Sequence, residues 1–216
     1  LEAPLSFEKP IELSDYELHA FYDVFRQHLA LEGKTQTNQL QGRLDLLMQE
    51  DPILSFDLSS PEIQVKEVKD RLPVHKMNPS LVTWLNEALE GGTFCNTHFR
   101  LLGKLRDFYG EESTLSLHTD FKNLNLHYDA NWPSLSRLDG NMSIEDNQLE
   151  VQAKGIMAKE AVESIRAHIP NLLQDPQLTI QAKANASLDK AWRMLHEGNV
   201  IQKEAFDALE WKGEGW

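Results

Sequence analysis

Ser113-Thr114-Leu115-Ser116-Leu117-His118-Thr119-Asp120-Phe121-Lys122-Asn123-Leu124-Asn125-Leu126-His127-Tyr128 decides the fold class. Leu115, Leu117 and Phe121 share one parity, and Leu124, Leu126 and Tyr128 share the other. Alternation with period 2 marks a strand with one apolar face. A change of parity inside one strand keeps both sets on that face only if an extra residue is inserted, so a bulge is expected near Lys122 and Asn123. The stretch is long for a strand, and such lengths suit an open, curved sheet with a continuous apolar face.

Upstream, the period is helical. Asn78 is a favourable N-cap, Pro79 fits the first helical position, and Gly91 can supply the left-handed residue that ends the run. Between them Leu81, Trp84, Leu85, Ala88 and Leu89 form an apolar stripe. A helix over about Pro79 to Glu90, docked through Trp84 and Leu85, is expected. A first helix is expected over Asp15 to Leu31. There Ser14 and Glu17 have capping-box spacing, Leu18, Phe21, Tyr22, Phe25 and Leu29 share a helical face, and Gly33 stops the run. A short third helix is expected over Lys190 to Glu197, ending at Gly198.

The remaining alternating segments read as antiparallel strands. Leu40, Leu44, Leu46 and Met48 lead through an Asp51-Pro52 turn to Leu54, Phe56 and Leu58. Ser60-Pro61 is expected to break that strand, with alternation resuming at Ile63 and Val65. Further strands are expected over Thr93 to Leu105, Leu138 to Ile144, Leu149 to Ala153, Val162 to Ile169 and Gln177 to Leu188, with a hairpin turn at Asp146-Asn147. Leu40-x-Gly42-x-Leu44-x-Leu46 is echoed by Leu138-x-Gly140-x-Met142-x-Ile144, as expected of a sheet extended by stacked hairpins. The fold class is mainly β with a few helices (α+β): an elongated, curved antiparallel sheet. Residues 1–70 read as a helix plus hairpin segment and 71–216 as a helix followed by long strands, together one continuous unit.

Composition narrows the function. With 21 Lys+Arg against 34 Asp+Glu, the formal charge of -13 repels phosphate backbones and anionic membranes, so no nucleic-acid partner is expected. A single cysteine, Cys95, excludes an internal disulfide framework. No apolar stretch approaches the ~18–20 residues of a membrane span. The chain starts Leu1-Glu2 and stops at Trp216 in what reads as the start of a strand, so it is expected to be a segment of something longer.

Catalytic and metal chemistry find little support. His98, His118, His127 and His168 fall on separate expected strands, unlike the close pairs of a structural zinc site, so no metal is expected. Cys95 and His98, three apart on one strand, are expected on opposite faces, and Cys95 is expected to be buried. Glu111-Glu112 and Glu145-Asp146 read as solvated turn charges. No phosphate-binding loop, nucleotide fingerprint or nucleophile elbow is present.

One ordered series of motifs resembles a known family. Leu72-Pro73-Val74, Met77-Asn78-Pro79-Ser80-Leu81-Val82-x-Trp84-Leu85-x-x-Ala88-Leu89-x-Gly91-Gly92, Gly103-x-Leu105-x-Asp107-Phe108 and Trp132-Pro133-x-Leu135-x-x-Leu138-Asp139-Gly140 are similar to the YhdP family of AsmA-like proteins. The likeness continues through Ile169-Pro170-Asn171-Leu172 and Pro176-x-Leu178-x-Ile180, covering about Leu54 to Gly198. It implies an internal segment of a long envelope protein of Gram-negative bacteria, tethered to the inner membrane and crossing the periplasm. Such proteins resemble bridge-like lipid transfer proteins, in which a taco-shaped sheet shields acyl chains along a hydrophobic groove.

The resemblance therefore implies phospholipid as partner, envelope proteins at either membrane as further partners, and membrane contact only through parts outside this chain. It carries no catalytic residue and no cofactor. Groove-lining residues would be Leu115, Leu117, Phe121, Leu124, Leu126 and Tyr128, with Met142, Ile144, Leu149, Val151, Leu178 and Ile180 on neighbouring strands. A structural or protein-binding β module of the envelope is the alternative, and a carbohydrate-active β enzyme is a third reading that would need two buried acids in a cleft.

Overall fold

The computed structural model describes residues 16–35, 39–70, 79–107, 112–128, 132–172 and 177–184. Its strands, in chain order, are β1 (Tyr16–Asp23), β2 (His28–Thr35), β3 (Gln41–Leu47), β4 (Ile53–Gln64), β5 (Leu89–Lys104), β6 (Thr114–Leu126), β7 (Leu135–Glu145), β8 (Gln148–Met157), β9 (Glu160–Ile169) and β10 (Thr179–Ala184). Helices α1 (Val65–Asp70) and α2 (Pro79–Ala88) stand between β4 and β5. The ten strands form one antiparallel sheet in strict chain order, each paired to the next, so β1 and β10 lie at opposite edges. Pairing of each strand with the next in the chain builds this topology, and at β4–β5 it spans the two helices. No described element forms a second layer across the whole sheet; α1 and α2 pack chiefly against β4 and β5, and Val65 of α1 reaches the buried residues of the neighbouring strands.

The bulge expected in β6 is present. Phe121 pairs with Gly140 and Leu124 with Leu138, three residues opposing two, and Asn123 takes a left-handed φ of 49°. Phe121 and Leu124 thereby share a face and are both buried. The irregularity recurs on other strands. Asn96 (φ 49°) shifts β5 against β6 between Cys95 and His98, Arg137 (φ 51°) shifts β7 against β8, and β9 shifts between Val162 and Ile165; Pro61 and Asn96 are left unpaired in an unshifted β4–β5 ladder. The buried pairs Leu135 and Leu138, and Val162 and Ile165, acquire their inward positions in this way. A bulge bends its strand and sharpens its twist.

Neighbouring side chains satisfy the bulge amides. The Asn123 N–H donates to Asp139 Oδ1 at 2.9 Å and the Arg137 N–H to Asn125 Oδ1 at 3.2 Å. Gly92, at φ 115°, lies against β6 here, where a Cβ would sit 2.6 Å from the Leu124 Cα. Only glycine fits both that dihedral and that approach.

Several expectations are corrected. The segment expected as a helix over Asp15 to Leu31 is the β1–β2 hairpin. Asp23 Oδ1 accepts the Phe25 and Arg26 backbone N–H groups at 2.9 and 3.0 Å, closing a turn that Gln27 completes at φ 49°. As strands the same residues extend the sheet's hydrogen bonding, whereas as a helix their apolar stripe would have no partner. Pro61 does not end its strand. It falls at a gap in the β4–β5 pairing, beyond the last β3 partner at Ser59, where a missing N–H removes no ladder bond on that side. Val65 opens α1 instead of continuing the strand.

The central helix is shorter than expected, because β5 begins at Leu89 and the left-handed residue is Gly92, not Gly91. It is held at its end, where Ala88 is fully buried and its carbonyl accepts the His127 N–H at 2.7 Å. Trp84 is 41% exposed, touching the sheet through an Nε1–H bond to the Tyr128 carbonyl at 2.9 Å, so it is not the docked core residue expected. The turn at Asp146-Asn147 is as read, both residues at positive φ (48° and 62°) as a two-residue hairpin turn requires. Asn78 and the short helix over Lys190 to Glu197 lie outside the described residues, as does the end of the strand expected to reach Leu188.

Candidate functional site

Residues directly opposite in an antiparallel ladder project from the same face, so the registers assign every strand position to one of two faces. One row runs Leu18, Gly33, Gly42, Leu58, Phe99, Leu117, Ile144, Leu149, Ile169 and crosses β1 to β9 without a charged residue. A second row, Ala20, Leu31, Leu44, Phe56, Leu101, Leu115, lies beside it on β1 to β6. On the other flank, Met142, Val151, Ala167 and Ile180 continue from Thr119. The apolar face therefore extends over the whole sheet.

It has two centres. Around Leu54 and Leu101 are packed Leu44, Leu46, Phe56, Phe99, Leu105 and Leu115. Around Phe94, Phe121, Leu124 and Leu138 are packed α1 residues Val65 and Val68, together with Met142, Val151 and Val162. Between the centres sit three hydroxyls, Ser60, Thr97 and Thr119. Thr119 Oγ1 lies 2.8 Å from Thr97 Oγ1 and within 3.2 Å of the Cys95 carbonyl, and Ser60 donates to the Glu62 carbonyl at 2.9 Å. These bonds satisfy polar groups where the ladder is interrupted at Pro61 and Asn96.

The structure brings most of the sequence-selected residues together. Leu117, Ile144 and Leu149 are consecutive on the long row, while Met142 and Val151 are paired beside it. Leu115 belongs to the first centre, Phe121 and Leu124 to the second, with Leu126 and Tyr128 packed against that second centre. Ile180 joins through Ala167 on the outermost strand and is 41% exposed. Leu178 precedes β10, outside the paired register, and is 49% exposed. Sequence reading missed the share of β1 to β5, above all Leu44, Leu54, Phe56, Phe99 and Leu101. The echo between Gly42 and Gly140 was the available signal, since both glycines lie on this face, each in the first strand of a hairpin.

The opposite face is charged. His19, Glu32, Arg43, Asp57 and Arg100 follow one another across β1 to β5 with alternating acid and base. Arg43 pairs with Glu32 and with Asp45 (2.6 Å), and Arg100 with Asp57 at 3.4 Å. The Arg43 hydrogen bond, aided by His28, holds the Asp45 carboxyl below the usual carboxylate range. A depression of about 750 Å³ on this face is lined by these ions with Lys34, His98 and His118. Its charges neutralise one another, Glu17, Glu32 and Asp57 standing against Lys34, Arg43 and Arg100.

His98 opposes His118, which bonds Glu145 at 2.8 Å. Among the described residues, no three His, Cys, Asp or Glu side chains are arranged to hold a metal ion. Cys95 is buried, as expected. It lies on the same side as His98, contrary to expectation, because the register slips between them at Asn96 (φ 49°).

An open antiparallel sheet in strict chain order, apolar on one face and ionic on the other, defines the class of protein. The chain belongs to the YhdP family: the family model described as YhdP protein matches residues 1–215, a wider span than the motif series. Membership points to an AsmA-like envelope protein. No curated protein and no solved structure matches the chain. Among the described residues, no helix is long and apolar enough to cross a membrane.

Proposed function

We propose that the apolar face is a lane for phospholipid acyl chains, and that this chain is a periplasmic segment of a non-enzymatic, bridge-like protein carrying lipid between inner and outer membranes. The parent protein would be anchored in the inner membrane by a part outside this chain. The observation that carries the reading is the uncharged row from Leu18 to Ile169 on a sheet over which no described element forms a second layer. The row crosses nine strands, and eight spacings of ~4.8 Å give a lane of roughly 38 Å, longer than one leaflet's share of the ~30 Å bilayer core. Each CH₂ taken from water contributes about 0.8 kcal/mol, so such a face holds an acyl chain without specific contacts and lets it slide.

The test is Leu117→Asp. Leu117 is only half-buried and sits mid-row. On an open lane its carboxylate stays wet, so the variant is expected to fold with near-parental melting while losing phospholipid detected by native mass spectrometry after gentle extraction. A closed core would bury the charge and unfold the domain. Photocrosslinkers at Leu117 and Leu126 are expected to capture phospholipid in cells. A parental protein free of lipid, with crosslinks only to protein, would replace this reading with the envelope interaction module.

A further inference from the structure

At the helical end of the apolar face three aromatic side chains gather where apolar surface meets water. Tyr128 packs against the second apolar centre, and its ring lies 5.9 Å from that of Trp132, tilted by 41°. Trp84 of α2 is tied to the same place by its Nε1–H bond to the Tyr128 carbonyl. Trp84 and Trp132 remain 41% and 38% exposed. Burial does not explain them, because a tryptophan stabilises a core only when it is covered. Aromatic rings with one side on apolar surface and the other in water present an electron-rich face to whatever lies at that boundary.

We infer that Trp84, Tyr128 and Trp132 form a docking rim for the ammonium headgroup of an amphiphile whose chain lies on the adjoining apolar face. This rests on the acyl-lane reading and adds to it the class of headgroup. Three features select a cation. The ring faces attract ammonium within about 6 Å of their centroids. The chain's formal charge of -13 disfavours anionic headgroups. Lys69, at the same end, is held away by its bonds to the Asn86 and Leu89 carbonyls and does not present a competing anion site. The rim is also continuous with the lane through Tyr128, so one molecule can occupy both.

The experiment compares two probes of equal chain length, dodecylphosphocholine and dodecylmaltoside, each below its micelle concentration. Their binding to the whole chain is measured by calorimetry. The parent is expected to bind the ammonium probe about five- to tenfold more tightly. Trp84→Leu/Trp132→Leu keeps apolar bulk and is expected to remove that preference while changing maltoside affinity less than about twofold, and Trp132→Phe restored in the Trp84→Leu background should recover part of it. Equal affinities in the parent overturn the rim and leave the lane standing. Binding of neither probe overturns the lane and the rim with it. If the double variant instead loses sedimentation with zwitterionic vesicles and the parent shows no headgroup preference, the rim is a bilayer anchor and the inference is wrong.

Discussion

The two halves of the sheet hold their apolar face together differently. From β1 to β4 the registers are regular, and the face there consists mostly of half-buried or exposed side chains, with Thr35, Leu54, Ser60 and Ile63 the buried exceptions. From β5 onward nearly every ladder carries a shift, and the buried residues concentrate there: Phe94, Phe121, Leu124, Leu135, Leu138, Val162 and Ile165. A flat, regular sheet with one layer cannot cover its own side chains. Bulges bend neighbouring strands and turn residues three apart onto one face, and there Val65 and Val68 of α1 pack on them to make a core. The bulged half thus holds most of the buried core, and the regular half leaves its apolar face open.

The largest expected effect breaks or confirms that division. Phe121→Ala, at 3% exposure in the bulged half, is expected to lower stability by about 3–5 kcal/mol. Leu58→Ala, half-buried on the regular half, is expected to cost about 1 kcal/mol. Urea melts of both variants would decide it, and comparable losses would mean that the halves form one uniform core.

Trp84→Ala sharpens the role of the helix. A buried tryptophan would cost several kcal/mol, but Trp84 is half-exposed and contributes one hydrogen bond at the rim, so about 1–2 kcal/mol is expected. A loss matching Phe121→Ala would show that α2 belongs to the bulged core.

How much of this was legible follows from the same contrast. The bulge in β6 could be read because Leu115, Leu117 and Phe121 change parity to Leu124, Leu126 and Tyr128 within a single strand, leaving no ambiguity of pairing. The first hairpin could not. Leu18, Phe21, Tyr22 and Phe25 have helical spacing because the edge strand exposes apolar residues on both faces and at its turn, where Phe25 is 99% exposed. The rest of the apolar face was hidden by register. Leu54, Phe56 and Leu58 meet Leu101 and Phe99 across two helices, a pairing of distant segments that no local pattern specifies. Pro61 misled for a related reason, since its tolerance depends on having no β3 partner beside it.

The bulges themselves offer a smaller effect. Asp139→Ala removes the acceptor of the Asn123 N–H and is expected to cost about 1 kcal/mol, with faster hydrogen exchange at Asn123 than at Leu117. Asp139→Asn keeps an acceptor oxygen and should fall between. Unchanged exchange would show that the bulge is fixed by packing around Gly92 and not by its cap.

The smallest effect belongs to the regular half and depends on pH. Asp45 is held below the ordinary carboxylate range, chiefly by its hydrogen bond from Arg43. The folded state therefore binds this proton less readily than the unfolded chain does, and the pair stabilises the fold above the unfolded carboxylate value of about 4. That contribution fades as pH falls through the depressed folded value. It is modest, because Arg43 is solvent-accessible and its attraction is screened. Asp45→Asn removes the titrating group, so its stability should match the parent's at the lowest pH and fall below it as pH rises to neutrality. Phe121→Ala should instead run parallel to the parent across the same range. If the Asp45→Asn curve also ran parallel, the ionic face of the regular half would be a solvated surface with no part in holding β2 to β3.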